Sequence, residues 1–72
     1  MNRETISIRT EWIKLDQLLK VSGAVDTGGH GKELIVSGKV LVNGEVCLQR
    51  GKKIRPGDVV CANGEEFEVT AE

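Results

Sequence analysis

The spacing of apolar residues changes period twice along the chain. Thr5-Ile6-Ser7-Ile8-Arg9 alternates polar and apolar, the period of a strand. Residues 10–13 read as a connection, with Trp12 as a core or lid residue rather than a base-stacking platform. Leu15, Leu18 and Leu19 then fall at i, i+3 and i+4, one face of an amphipathic helix. Asp16 near its start and Lys20 near its end both complement the helix dipole. Gly23 is placed to close it. A second short helix follows. Asp26 and Thr27 are residue types that accept the free N–H groups of a helix start, and Leu34 and Ile35 form its apolar stripe. Gly31 lies one turn earlier on that face, where the lack of a side chain lets the helices approach. Gly38 ends this helix as Gly23 ends the first.

Beyond Gly38 the period returns to two. Val40-Leu41-Val42, Asn43-Gly44 and Glu45-Val46-Cys47 form a hairpin pattern around a type I′ turn. Gly51 and Pro56-Gly57 mark further turns. Asp58-Val59-Val60-Cys61-Ala62 reads as a strand, Asn63-Gly64 as a second tight turn, and residues 65–69 as the return strand. In that strand Phe67 and Val69 alternate with Glu66 and Glu68, so one face packs and the other is wet. The fold class is α+β: two short helices packed on a small, mainly antiparallel sheet. No repeat, low-complexity tract or linker interrupts the 72 residues, which are expected to form a single domain over 1–72. A chain of this length buries only about 60% of the surface it exposes when unfolded. That permits one modest core and disfavours a deep active site.

Composition sharpens the picture mainly through charge. The net charge is −1, yet all ten Lys and Arg lie in residues 1–57, where six acids leave +4. Residues 58–72 hold five acids and no base, for −5. A basic body facing a polyanion, with an acidic end left in water, fits this asymmetry, and a solvated surface of mixed charge fits it equally well. No apolar run approaches the ~20 residues that span a bilayer, and no membrane partner is expected. Met1-Asn2-Arg3-Glu4 lacks the apolar stretch of a signal peptide, so a cytoplasmic location is expected. Cys47 and Cys61 stand outside any Cys-x-x-Cys spacing and read as small core residues.

Catalytic chemistry finds little footing. His30 is the single histidine, and the close Cys/His spacing of a zinc site is absent. Asp16, Asp26 and Asp58 are accounted for by a helix start, a cap and a turn. No nucleophile–base–orienter set is visible, so no enzyme, cofactor, metal or small-molecule substrate is expected. Thr27-Gly28-Gly29-His30-Gly31-Lys32 is Gly-rich but lacks the Gly-x-x-x-x-Gly-Lys-Ser/Thr pattern of a P-loop. With Thr27 as cap, Gly28 and Gly29 leave the N–H groups of the helix start bare, open to an anion, with Lys32 one turn on. A purely conformational role for the two glycines fits the local chemistry equally well. The other basic residues fall into two groups. Lys14 and Lys20 join Lys32 on or beside the helices. Lys39, Arg50, Lys52, Lys53 and Arg55 lie in the turns. With Trp12 and Phe67 the only aromatic residues, an aromatic platform for single strands is disfavoured. A folded RNA read by shape and backbone phosphates fits better.

Three blocks of residues resemble a known family. They are Ile13-Lys14-Leu15-Asp16-Gln17-Leu18-Leu19 with Gly23, then Glu33 through the string Leu34-Ile35-Val36-Ser37-Gly38-Lys39-Val40-Leu41-Val42-Asn43-Gly44, and finally Arg55-Pro56-Gly57-Asp58-Val59-Val60. Together they resemble the S4 RNA-binding domain, with a motif core at about residues 13–60. The length and the Gly-Gly-His-Gly-Lys segment are most similar to the small stand-alone bacterial YaaA/YbcJ-type S4 proteins. The resemblance implies an αL-shaped RNA-binding motif formed by the two helices. It implies a non-catalytic protein that takes structured RNA, ribosomal or transfer, in ribosome biogenesis or translation, with ribosomal particles as further partners. Taken with the basic groups and the Gly-rich segment, it gives as expected RNA-binding residues Lys14, Lys20, Thr27, Gly28, Gly29, His30, Lys32, Lys39, Arg50, Lys52 and Lys53, of which Lys14, Thr27, Gly28 and Lys32 stand at positions of the family pattern. Lys14 stands where the family has Arg, keeping the charge without the bidentate fork. Gly28 stands where the family has a second Arg. The acidic end and that missing Arg motivate the competing reading, a protein-interaction adaptor that keeps the S4 fold without RNA.

Overall fold

The structure is a computed structural model that describes residues 3–25 and 28–72. The proposed caps Asp26 and Thr27 lie outside the described residues. In chain order the elements are β1 (Arg3–Ile8), β2 (Ile13–Lys14), α1 (Leu15–Ser22), α2 (Gly28–Val36), β3 (Val40–Val42), β4 (Glu45–Val46), β5 (Lys53–Ile54), β6 (Val59–Ala62) and β7 (Glu65–Ala71). One sheet has five strands in the order β1-β7-β6-β3-β4, and β2 pairs with β5 in a separate two-stranded ribbon. The fold is therefore α+β, as the pattern of the sequence predicts, with a mostly antiparallel main sheet.

The helices follow from their apolar spacing. Leu15, Leu18 and Leu19 of α1 are fully buried, as is Ile35 of α2. Gly23 closes α1 in the left-handed conformation (φ +83°), its N–H bonded to the Lys20 carbonyl. At the end of α2, Gly38 takes φ +76°. The Gly38 N–H meets the Ile35 carbonyl and the Lys39 N–H meets that of Leu34, the double bond of a Schellman motif. Both hairpin turns have the type I′ form, with Asn43 and Asn63 at φ +52° and +55° ahead of Gly44 and Gly64. The β3–β4 register pairs Leu41 with Val46, and the β6–β7 register pairs Ala62 with Glu65. The Asn63 side chain reaches the Ala24 carbonyl at 3.3 Å, tying the second hairpin to the segment after α1.

Two features depart from the sequence reading. The first and last strands pair in parallel, with Arg3 opposite Glu66 and Ile8 opposite Ala71. A parallel pair needs a crossover, and here everything between β1 and β7 serves as one. Residues 10–13 are also more than a connection, because Ile13 pairs with Ile54 in the β2–β5 ribbon. Two residues are too few to show a period, so this strand leaves no trace in the hydrophobic pattern. The core lies between the helices and the main sheet. It joins the α1 leucines, Val25, Leu34 and Ile35 to Ile8, Val40, Val42, Cys47, Ile54, Val60, Ala62 and Val69. Cys47 is buried as expected, while Cys61 is half-exposed. No helix among the described residues is long and apolar enough to cross a membrane.

Candidate nucleic-acid interface

The N-terminus of α1 organises the basic surface. Its cap residue, Lys14, is extended and offers no side-chain bond to the helix. The free N–H groups are met from elsewhere: Leu15 donates to the Lys52 carbonyl at 2.9 Å and Asp16 to the Arg50 carbonyl at 3.1 Å. Asp16 adds a local bond, its carboxylate accepting from the Gln17 N–H at 2.8 Å. A helix start must satisfy its free donors, and here the loop after β4 does much of it with its own backbone. That loop is therefore held against α1 by its backbone, with the Arg50 and Lys52 side chains exposed.

The β2–β5 ribbon adds the next residue. Lys14 is the cross-strand partner of Lys53, and directly opposed side chains share a face. Period-two alternation places Trp12 on that same face. The Lys53 ammonium lies 4.9 Å from the centroid of the Trp12 ring. On the opposite face Ile54 is fully buried and Ile13 packs against the core. The ribbon thus has an apolar side turned inward and a cationic side turned to solvent. Two like charges directly opposed are unfavourable in the free protein.

The other candidates sit at varying distance from this centre. Lys20 lies on α1 in an open groove with Gln17 and Asp16, and Gln17 also borders the groove beside Lys14 and Trp12. Lys14 and Lys20 therefore flank one surface. The helices meet at Gly31: a Cβ added there would lie 3.6 Å from the Asp16 carbonyl oxygen and 3.4 Å from Val25 Cγ2. These are ordinary van der Waals distances, so a small residue at this position suffices for the helices to meet. This meeting sets the start of α2 against α1, with Gly29, His30 and Lys32 exposed. Gly28 is the first residue of α2, and Thr27 lies outside the described residues. Lys39 follows Gly38, roughly 10 Å or more from Gly29 along α2 at 1.5 Å per residue, and so belongs to the far end of that helix.

The acidic half is drawn off to the parallel β1–β7 edge. Arg3 pairs with Glu66 at 2.6 Å and approaches Glu68 at 3.8 Å, while Arg9 meets Glu72 at 2.8 Å. The hydrogen bond and charge of Glu66 hold the Arg3 guanidinium still further above its ordinary range. Sequence reading missed Trp12 as a surface residue. The available signal was its position two residues before Lys14, which puts both on one face of any extended segment. Among the described residues no group of three or more His, Cys, Asp or Glu side chains is placed to hold a metal ion.

The model of the S4 domain matches residues 6–70. The chain belongs to the S4 domain family. It is 44% identical over 59 residues, 82% of this chain and 83% of the relative, to the probable ribosome maturation protein RlbA of Bacillus subtilis (strain 168). Among solved structures it is similar to YbcJ from E. coli, whose solution structure is described as revealing an αL motif involved in RNA binding. That match has a TM-score of 0.75 and 32% identity, and covers 99% of this chain and 91% of YbcJ. The S4 blocks acquire physical roles here: one supplies α1, one supplies the last turn of α2 with β3 and its turn, and one supplies the turn into β6.

Proposed function

We propose that this S4 protein is a non-catalytic RNA-binding protein that takes structured RNA, ribosomal or transfer, through backbone phosphates and shape. The whole of residues 1–72 acts as one binding unit, with its motif core at about 13–60. It works in the cytoplasm on ribosomal RNA or ribosomal particles during ribosome maturation, a role supported by the likeness to RlbA. The observation that carries the reading is the docking of the loop at 50–52 onto α1. It holds the backbone of Arg50 and Lys52 against the start of α1, next to the ribbon where Lys14 and Lys53 are in direct register, and we take these four cations as the centre of the RNA contact. A polyanion relieves that crowding of like charge. Lys20, Gly29, His30 and Lys32 extend the surface along the helices. Thr27 and Gly28 bring the N–H groups of the α2 start to the RNA, and Lys39 contributes from the periphery.

Titration of a labelled structured RNA across a salt series tests this. Neutralising about four phosphates weakens binding roughly 100-fold between 50 and 200 mM salt. Lys52→Glu combined with Lys53→Glu abolishes binding. Salt-independent binding, or a charge-reversed double variant that binds as well as the parent, would overturn the proposal. The exposed Val36, Val46 and Leu48 favour the second reading, a protein-interaction adaptor. Partners that stay bound after nuclease treatment of a purified complex would support it.

A further inference from the structure

Trp12 is the feature that phosphate binding leaves unused. The chain has one tryptophan, no tyrosine and one phenylalanine. Phe67 is fully buried, so Trp12 is the one carbocyclic aromatic side chain in contact with solvent, His30 being the other exposed ring. It is only half-buried, and it stands outside the hydrophobic core. Its backbone is nonetheless well held. The Thr10 hydroxyl donates to the Trp12 carbonyl at 2.7 Å, and the next residue, Ile13, is paired in the ribbon. The ring lines an open groove that runs from Arg9 past Lys14 to Gln17. Lysines stand on either side of it: Lys14 two residues on, and Lys53 over the ring.

We propose that this groove is a subsite for one unpaired nucleobase of the bound RNA, stacked on the Trp12 indole. The inference rests on the RNA-binding reading and narrows it to RNA with a bulged or looped-out nucleotide. A rigid aromatic face flanked by cations matches the alternation of base and phosphate along a strand. Paired bases are hidden in their stack, so an indole at the protein surface reaches only a base that has left it. Lys53 occupies the ring in the free protein, and an arriving strand offers its ammonium a phosphate instead. Every base has a π face, so the subsite accepts any of the four. Glu11 also lines the groove and disfavours seating a phosphate there in place of the base.

The single tryptophan makes the test direct. The 72-residue protein is titrated with a labelled RNA hairpin whose strands are fully paired and joined by a non-nucleotide linker in place of a loop, and with the same hairpin carrying one bulged adenosine or uridine. RNA anisotropy reports binding, and intrinsic fluorescence reports Trp12 alone. The bulged hairpins quench Trp12 and bind roughly 5- to 100-fold more tightly than the paired one, the range of one base stacked on an aromatic side chain. Trp12→Leu erases the preference for the bulge, and Trp12→Phe restores part of it. Equal binding of paired and bulged hairpins, or equal quenching by both, overturns the subsite while leaving the RNA-binding reading intact. Absence of any anisotropy change with either hairpin overturns both.

Discussion

Asn43 sits at φ +52° in the first hairpin turn, and its side chain reaches out of that turn. Its Oδ1 accepts from the Val59 N–H at 2.9 Å, and its Nδ2 donates to Asp58 Oδ1 at 3.1 Å. Asp58 in turn accepts from the Arg55 N–H at 2.8 Å, closing the turn through Pro56-Gly57. The Asn-Gly and Gly-Asp elements of the S4 pattern are therefore two halves of one clip between β3 and β6, and their role is structural. Each net hydrogen bond is worth about 1 kcal/mol, and a left-handed backbone adds a penalty of about 1 kcal/mol for a residue such as Ala. Asn43→Gly, which tolerates the backbone, is expected to cost about 1–2 kcal/mol. Asn43→Ala is expected to cost about 1 kcal/mol more. Urea denaturation of the two variants measures the difference.

At the scale of elements, the two contacts that shape the candidate interface respond to substitution in opposite ways. In the β2–β5 ribbon, Lys14 faces Lys53. Lys14→Glu replaces a repulsion with an attraction, and the free protein gains about 0.5 kcal/mol, while RNA affinity falls. A variant that is more stable yet binds less separates binding from folding, and thermal melting beside RNA titration reads both. Between α1 and α2, an added Cβ at Gly31 meets only ordinary van der Waals contacts. Gly31→Ala is therefore expected to leave stability unchanged or to raise it by up to about 1 kcal/mol through helix propensity. Gly31→Leu has no room against the Asp16 carbonyl and Val25, and is expected to cost about 1–3 kcal/mol by forcing the helices apart.

Across the whole molecule, charge is sorted by the parallel pairing of β1 with β7. That pairing hands Arg3 and Arg9 to Glu66 and Glu72 and leaves the basic residues of 14–53 on the helices, the ribbon and its loop. The salt dependence of RNA binding exposes this sorting. Lys14→Gln together with Lys52→Gln lowers the slope of log affinity against log salt by about 2, one for each phosphate no longer neutralised. Arg3→Gln, on the acidic edge, leaves the slope unaltered. A change in slope with Arg3→Gln equal to that of the lysine pair would show that the interface extends over the β1–β7 edge.

Local information was enough for the elements whose partners are near in sequence. The α1 leucine stripe, the closing glycines at 23 and 38, the two Asn-Gly turns and the meeting of the helices at Gly31 were all legible, because each is governed by backbone conformation or by neighbours a few residues away. The S4 blocks at 13–19, 33–44 and 55–60 named the family for the same reason. The parallel β1–β7 pair, the β2–β5 ribbon, and the loop at 50–52 that caps α1 were not legible. Each joins segments separated by some 35 residues or more, and the sequence pattern of either segment is equally compatible with several partners. That is why Lys14, Lys20, Arg50, Lys52 and Lys53 read in sequence as two scattered groups. Only the folded chain decided that Lys14 and Lys53 oppose each other, that the backbone at 50–52 lies on the start of α1, and that Trp12 stands at the surface beside Lys53. Burial of Ile54 and the unmet N–H groups of α1 drew the loop and ribbon together, and the exposed side chains followed their backbone.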